Sequence, residues 1–127
     1  MAMSVPASGR EQSPEAVYGL VCAAARQHRP IAARYDGAPR LLCPHVLGYN
    51  RPGEFRVFCY QYGGETKSGP VPTGGGGIWR CLSLKKLLSV ELLDGPWQTE
   101  SHAPQRCVEQ IEVDADDYPG GDPQNGQ

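Results

Sequence analysis

Glu54-Phe55-Arg56-Val57-Phe58-Cys59-Tyr60-Gln61-Tyr62 is the stretch on which the fold turns. It is the richest run of β-formers in the chain, and it follows the strong turn Asn50-Arg51-Pro52-Gly53. With a side-chain period of two, Phe55, Val57 and Cys59 take one face, and Arg56, Phe58, Tyr60 and Tyr62 take the other.

Upstream, Ile31 to Tyr35 reads as a strand closed by the turn Asp36-Gly37, and Arg40 to Tyr49 as the next. Pro44 inside that second run calls for a bulge or an edge position, because it cannot donate to a ladder. Ser13 at the cap, Pro14 at the first helical position and Glu15 near the positive end open a helix. Val17, Leu20, Val21 and Ala24 give it one apolar face, and Pro30 stops it, so the helix spans Pro14 to His28. Downstream, Gly63 to Gly77 reads as a long loop ending in four glycines, and Ile78 to Leu84 as a strand. Arg80 shares a face there with Ile78, Leu82 and Leu84. Lys85-Lys86-Leu87 makes a single helical turn, Leu88 to Leu93 a fifth strand and Arg106 to Val113 a sixth. The expected class is mainly β with one N-terminal helix, its short strands forming a small, strongly bent sheet or barrel.

A chain of 127 residues fits one domain. Residues 1–13 and 114–127 lack apolar periodicity and are expected to be disordered, the latter as an acidic, Gly/Pro-rich tail; residues 14–113 form the folding unit. The net charge of −2 hides an asymmetry. Arg26 to Val90 holds ten Lys or Arg against three acids, whereas Glu91 to Gln127 holds nine acids against one arginine. A basic body with an acidic end fits an anionic partner, and equally an end that folds back to neutralise the body. Five cysteines with no CxxC pair, three of them (Cys43, Cys59, Cys81) inside strand-like runs, suit reduced thiols packed as small hydrophobes in the cytoplasm. Glu11 and Glu15 precede the apolar run Ala16 to Ala25, which is therefore not read as a signal peptide. No stretch approaches the roughly 20 apolar residues of a membrane span.

Arg40, Arg56 and Arg80 sit in strand-like segments with few acids nearby in sequence. A guanidinium so placed must reach water, pair with an acid or line a site for an anion, and its planar fork suits phosphate oxygens. Tyr35, Tyr60 and Tyr62, with Phe58, are candidate stacking platforms for unpaired bases, although alternating aromatics in a strand also build core, the preferred reading for Phe58. His28, His45 and His102 are too scattered to suggest a metal site. Cys43 with His45 gives no reason for a nucleophile and base pair, and Gly74 to Gly77 lacks the Gly-Lys-Ser/Thr of a phosphate loop. No enzyme activity and no cofactor are expected.

Over Val17 to Leu93 the ordered set of segments resembles the WYL domain, found mostly in bacterial transcription regulators. The matching residues are Ile31-Ala32-Ala33-Arg34-Tyr35, Arg40 to Gly48 with Pro44 and His45, Phe55 to Tyr60, and Trp79-Arg80 running into Lys85-Lys86-Leu87. Phe55-Arg56-Val57 stands where the family has its naming triplet, and one helix stands where most such regulators carry a winged helix-turn-helix. The resemblance implies a free-standing Sm- or SH3-like β-barrel with a patch for a nucleic acid or another anionic ligand. By position that patch implicates Tyr35, Arg40, His45, Arg80 and Lys86; Arg56 and Tyr60 join them as candidate phosphate and base contacts. The expected function is a regulatory binding module for single-stranded nucleic acid or a nucleotide, with a partner protein supplying DNA-binding or catalytic function. The alternative is a protein-interaction or structural module whose arginines pair internally with Glu109, Glu112 or Asp114.

Overall fold

The structure, a computed structural model, describes residues 12–66, 69–71 and 77–119. Its helix α1 spans Pro14–Gln27, and Ser13 Oγ accepts the Ala16 N–H at 3.0 Å as the expected N-cap. His28 ends it in the left-handed region at φ 53°, its N–H bonded back to the Ala24 carbonyl. The buried face is Val17, Val21, Cys22, Ala24 and Ala25.

Among the described residues seven strands follow: β1 (Ile31–Tyr35), β2 (Ala38–Tyr49), β3 (Phe55–Thr66), β4 (Gly69–Pro70), β5 (Ile78–Ser83), β6 (Leu88–Leu92) and β7 (Gln110–Asp114). All pairings are antiparallel, and β2 is the spine. One edge of β2 carries β3; its other edge is shared, by β1 up to Leu42 and by β7 from Val46. Pro44 falls in the gap between those two partners, where no ladder bond is asked of its missing N–H. The β2–β3 register shifts between Pro44 and Val46, which is the bulge the proline calls for.

β3 pairs with β5 along Arg56 to Gln61 and with β4 along Glu65 and Thr66, and the far edge of β1 takes β6. A 3-10 turn, Leu84–Lys86, joins β5 directly to β6. The result is a mainly β fold with one helix, its antiparallel sheet strongly curled into a half-barrel. Ile31, Leu42, Leu47, Val57 and Cys59 fill the concave side, and α1 packs its buried face onto them. Each fully buried Ile, Leu or Val there contributes roughly 1.5–3 kcal/mol.

A smaller cluster of Val46, Phe58 and Val108, with Trp79 and Cys107, lies on the outer face. Residues 93–109 cross that face as a strap before β7. The core reading of Phe58 therefore holds: it is 8% exposed. No helix among the described residues is long and apolar enough to cross a membrane.

Three expectations are corrected. The third strand runs on to Thr66, because Gly63 and Gly64 let β3 pass close over β2: a Cβ on Gly64 would meet Arg40 Cα at 2.7 Å. The folded part outlasts Val113, since Ala115 is 1% exposed in the core and Asp114 Oδ1 caps a 3-10 turn at Ala115–Asp117. Gln12 belongs to it as well, bonding both backbone groups of Val90. Finally, Cys81 is not a reduced core thiol but forms a disulfide with Cys107. Cys22, Cys43 and Cys59 are free and buried. Burial pushes the Cys43 thiol up to about 11 and that of Cys59 up to about 12. Residues 72–76, which include most of the glycine run, lie outside the described residues.

Candidate functional site

Tyr35 ends β1 with its ring on the concave face, and its hydroxyl accepts the Ser83 N–H at 3.0 Å. That bond ties the end of β1 to the end of β5. Arg40, opposite Ala33 in the β1–β2 ladder, points to the same face and is 1% exposed. Its Nε and Nη2 donate to the Tyr35 carbonyl at 3.2 and 2.9 Å, and Nη1 donates to Gln61 Oε1 at 3.3 Å.

The Gln61 amide is oriented by its other partners. Nε2 donates to the carbonyls of Gly63 and Glu65, both at 3.0 Å, which leaves Oε1 to accept from Arg40. Burial lowers the Arg40 pKa, and the neighbouring Arg80 charge lowers it further. Arginine nevertheless stays protonated at physiological pH, so this is a buried cation held by neutral acceptors.

Arg80 stands opposite Cys59 in the β3–β5 ladder and so shares the concave face with Arg40. It is half-buried, and among the described residues its guanidinium makes no hydrogen bond or ion pair. Lys86 reaches the same end from the 3-10 turn. Its Nζ lies 5.3 Å from the Tyr35 ring centre, and the Arg40 guanidinium carbon also lies at 5.3 Å. Lys86 pairs with Asp36 at 3.2 Å, with about half of the lysine side chain exposed. A surface pair of this kind contributes roughly 0–1 kcal/mol and exchanges readily for another anion.

Tyr35, Arg40, Arg80 and Lys86 thus lie at one end of the concave face, but Arg40 is part of the scaffold rather than an open ligand contact. The other three candidates lie elsewhere. His45 is on the outer face, 7% exposed, with its ring 4.7 Å from both Trp79 and Trp97. Nδ1–H donates to the Cys43 carbonyl at 2.8 Å, so Nε2 accepts from the Thr99 hydroxyl, also at 2.8 Å. Burial lowers its pKa, and a neutral, enclosed imidazole is no anion receiver. Tyr60 is 4% exposed on that outer face, packed on Trp79, its hydroxyl accepting the Gly77 N–H at 2.8 Å. Arg56 pairs with Glu54 at 3.0 Å. Both carry the parity of Phe58, away from Arg80, because the strand alternates.

Two participants went unnoticed in the sequence. Gln61 is an amide inside an apolar strand, and that placement was the available signal. Asp36 was read only as a turn residue. The scattered histidines also turn out to be linked: His28 stacks on Trp97, Trp97 meets His45, His45 meets Trp79, and Trp79 meets His102. Only the strap brings these rings together, which spacing along the chain does not reveal. Among the described residues no group of His, Cys, Asp and Glu could hold a metal ion.

The acidic end takes a definite place. β7 pairs with Val46–Tyr49 of β2, roughly 20 Å along the strand from Arg40 at a rise of about 3.3 Å per residue. Glu109 pairs with Arg51 at 3.3 Å, and the Ala115 carbonyl accepts from His28 Nε2 at 2.8 Å. The described C-terminal acids therefore leave the concave basic end uncovered. Compared with known proteins, the chain matches no protein-family model, no curated protein and no solved structure.

Proposed function

We propose that the chain is a regulatory binding module for an anionic ligand, single-stranded nucleic acid or a nucleotide, taken at the concave end around Tyr35, Arg80 and Lys86. The observation that carries this reading is Arg80: a half-buried arginine on a concave face, beside a second, buried arginine, with no hydrogen-bond or ion-pair partner among the described residues. Two like charges held together are costly unless an anion joins them, and a phosphate oxygen offers the charge-assisted partner. Arg40 supplies long-range positive potential and fixes Tyr35, Arg80 makes the fork contact, and Lys86 exchanges Asp36 for ligand. A WYL-like, Sm- or SH3-like barrel is the fold reading behind this. It is supported by the strand order β6-β1-β2-β3-β5, the short helical turn between β5 and β6, and the helix before β1. The reading assigns the chain no reaction, and a partner protein would convert binding into regulation.

Fluorescence polarisation with short labelled oligonucleotides across a salt series tests it. Each phosphate neutralised on a single strand contributes a slope of about −0.7 in log K against log salt, so Arg80→Ala is expected to flatten the slope by about that amount. A salt-independent signal that Arg80→Ala leaves unchanged would falsify the proposal. The alternative, with the C-terminal acids occupying the basic end, calls for contacts to Arg40 or Arg80; among the described residues Glu109 goes to Arg51 instead.

A further inference from the structure

We propose that the Cys81–Cys107 disulfide is a redox-exchange site: a dithiol reductant opens it and releases the second half of the strap, residues 100–108, from the aromatic outer face of β3 and β5. The five cysteines fall into two classes. Cys22, Cys43 and Cys59 are buried free thiols, inert because burial disfavours their thiolates. Cys81 is exposed and Cys107 half-buried, at the floor of an open cleft of about 580 Å³ walled by His102 and Arg106. A reductant can reach this sulfur pair, and the Arg106 charge beside Cys107 favours a departing thiolate.

What the bond holds down is little held by anything else. The first half of the strap is anchored by Trp97 between His28 and His45, by Gln98 N–H on Cys43 Sγ at 3.4 Å, and by Thr99 on His45. From residue 100 to 107, no hydrogen bond to the sheet exists among the described residues. Gln105 instead bonds both backbone groups of Val108 within the strap. His102 merely rests its ring on Trp79 and Phe58, at 4.5 and 5.0 Å. The Trp79 indole N–H beneath is buried without a hydrogen-bond partner among the described residues, so the strap gains no polar contact there. Against this stand the burial of Val108 and the disulfide. The concave core includes neither Cys81 nor Cys107, so the sheet is expected to survive the opening.

The step is ordinary exchange. A reductant thiolate attacks one sulfur of the pair, forming a mixed disulfide and expelling the other sulfur as a thiolate. The reductant's second thiol then attacks the reductant sulfur of that mixed disulfide and expels the protein sulfur still bound to it as the second thiolate. Two electrons and two protons pass to Cys81 and Cys107, and the dithiol leaves as its own disulfide.

The test uses the full chain with dithiothreitol, and a Cys81→Ser/Cys107→Ser variant that needs no reductant. Iodoacetamide should label Cys81 and Cys107 in the native reduced protein and leave Cys22, Cys43 and Cys59 unlabelled. Acrylamide quenching of tryptophan should rise at least twofold, and trypsin should cut after Arg106 at least tenfold faster, with amide protection in β2 and β3 retained. Resistance of the disulfide to native reduction overturns the proposal. So does reduction that changes neither quenching nor cleavage. Loss of β2 and β3 protection in both reduced and variant forms also overturns it, since the bond would then be a staple of the whole fold.

Discussion

Replacing Arg40 and Arg80 separately should give opposite phenotypes, although both are arginines on one concave face. Arg40→Ala leaves the Tyr35 carbonyl and Gln61 Oε1 without the donors that now reach them. A buried acceptor without a partner costs about 1–3 kcal/mol, and the truncation also opens a cavity where one of the largest fully buried side chains now sits. Removing a buried cation from beside Arg80 offsets part of this. The net expected loss is about 3–5 kcal/mol, a fall in midpoint of roughly 15–30 °C for an ordered region of this size. Arg80→Ala removes a half-buried side chain with no described partner and relieves the repulsion on Arg40. Its stability should stay within about 1 kcal/mol of the parent while oligonucleotide affinity falls. Urea unfolding followed by circular dichroism, with calorimetry as a second measure, reads both. The assignment of scaffold and ligand roles is refuted if Arg40→Ala unfolds within 1 kcal/mol of the parent, or if Arg80→Ala is the more destabilised of the two.

Acidification should destabilise the protein through His45. Its folded pKa lies below the ordinary value of 6.5, so the stability it contributes is present above that value and is lost as pH falls from about 6.5 toward the folded pKa. His45→Gln should flatten that part of a urea-midpoint profile between pH 7.5 and 5, and an unchanged slope would count against the enclosed neutral ring. Ser13→Ala should cost about 1 kcal/mol by removing the cap on the Ala16 N–H, seen as a shift in urea midpoint with unchanged m. Gly48→Ala should be far worse, because its Cβ would strike the Gln110 carbonyl and meet Val108 Cγ1 at 2.7 Å. Faster hydrogen exchange in β7 than in β3 would be the signature, and equal protection would refute it.

How much the sequence told depended on the range of the interaction. The helix with its Ser13 cap, β1 to the residue, and the turn after β5 follow from capping, period and turn chemistry, which are local. Pro44 announced a bulge but not the reason for it, a change of partner strand. The grouping of Tyr35, Arg40, Arg80 and Lys86 came from the resemblance of the ordered segments to the WYL domain, which implies a shared patch by position, and not from the residues alone. Whether a guanidinium in that group was open or satisfied was not legible, because Arg40 is satisfied by Gln61, a residue from another strand. His45 was misplaced for a related reason: the strap that encloses it comes from a stretch with little periodicity. Tyr60 was misplaced because its ring packs on Trp79 of the neighbouring strand and its hydroxyl takes the Gly77 N–H. The disulfide was hidden too, since Cys107 sits in that same stretch and pairing depends on where the strap crosses.

The partner change at Pro44 also has a consequence for the growing chain on the ribosome. β1, β2 and β3 emerge early and can pair at once, yet the edge of β2 from Val46 to Tyr49 finds its neighbour only when Gln110–Asp114 is made. At about 5–20 residues per second that interval is on the order of 3–12 s. During it an apolar strand edge, flanked by Tyr49 and Phe55, stands open to another nascent chain. Ribosomes closely spaced on one message would bring such edges together, so crowded translation is the condition under which this fold is most exposed to misassembly.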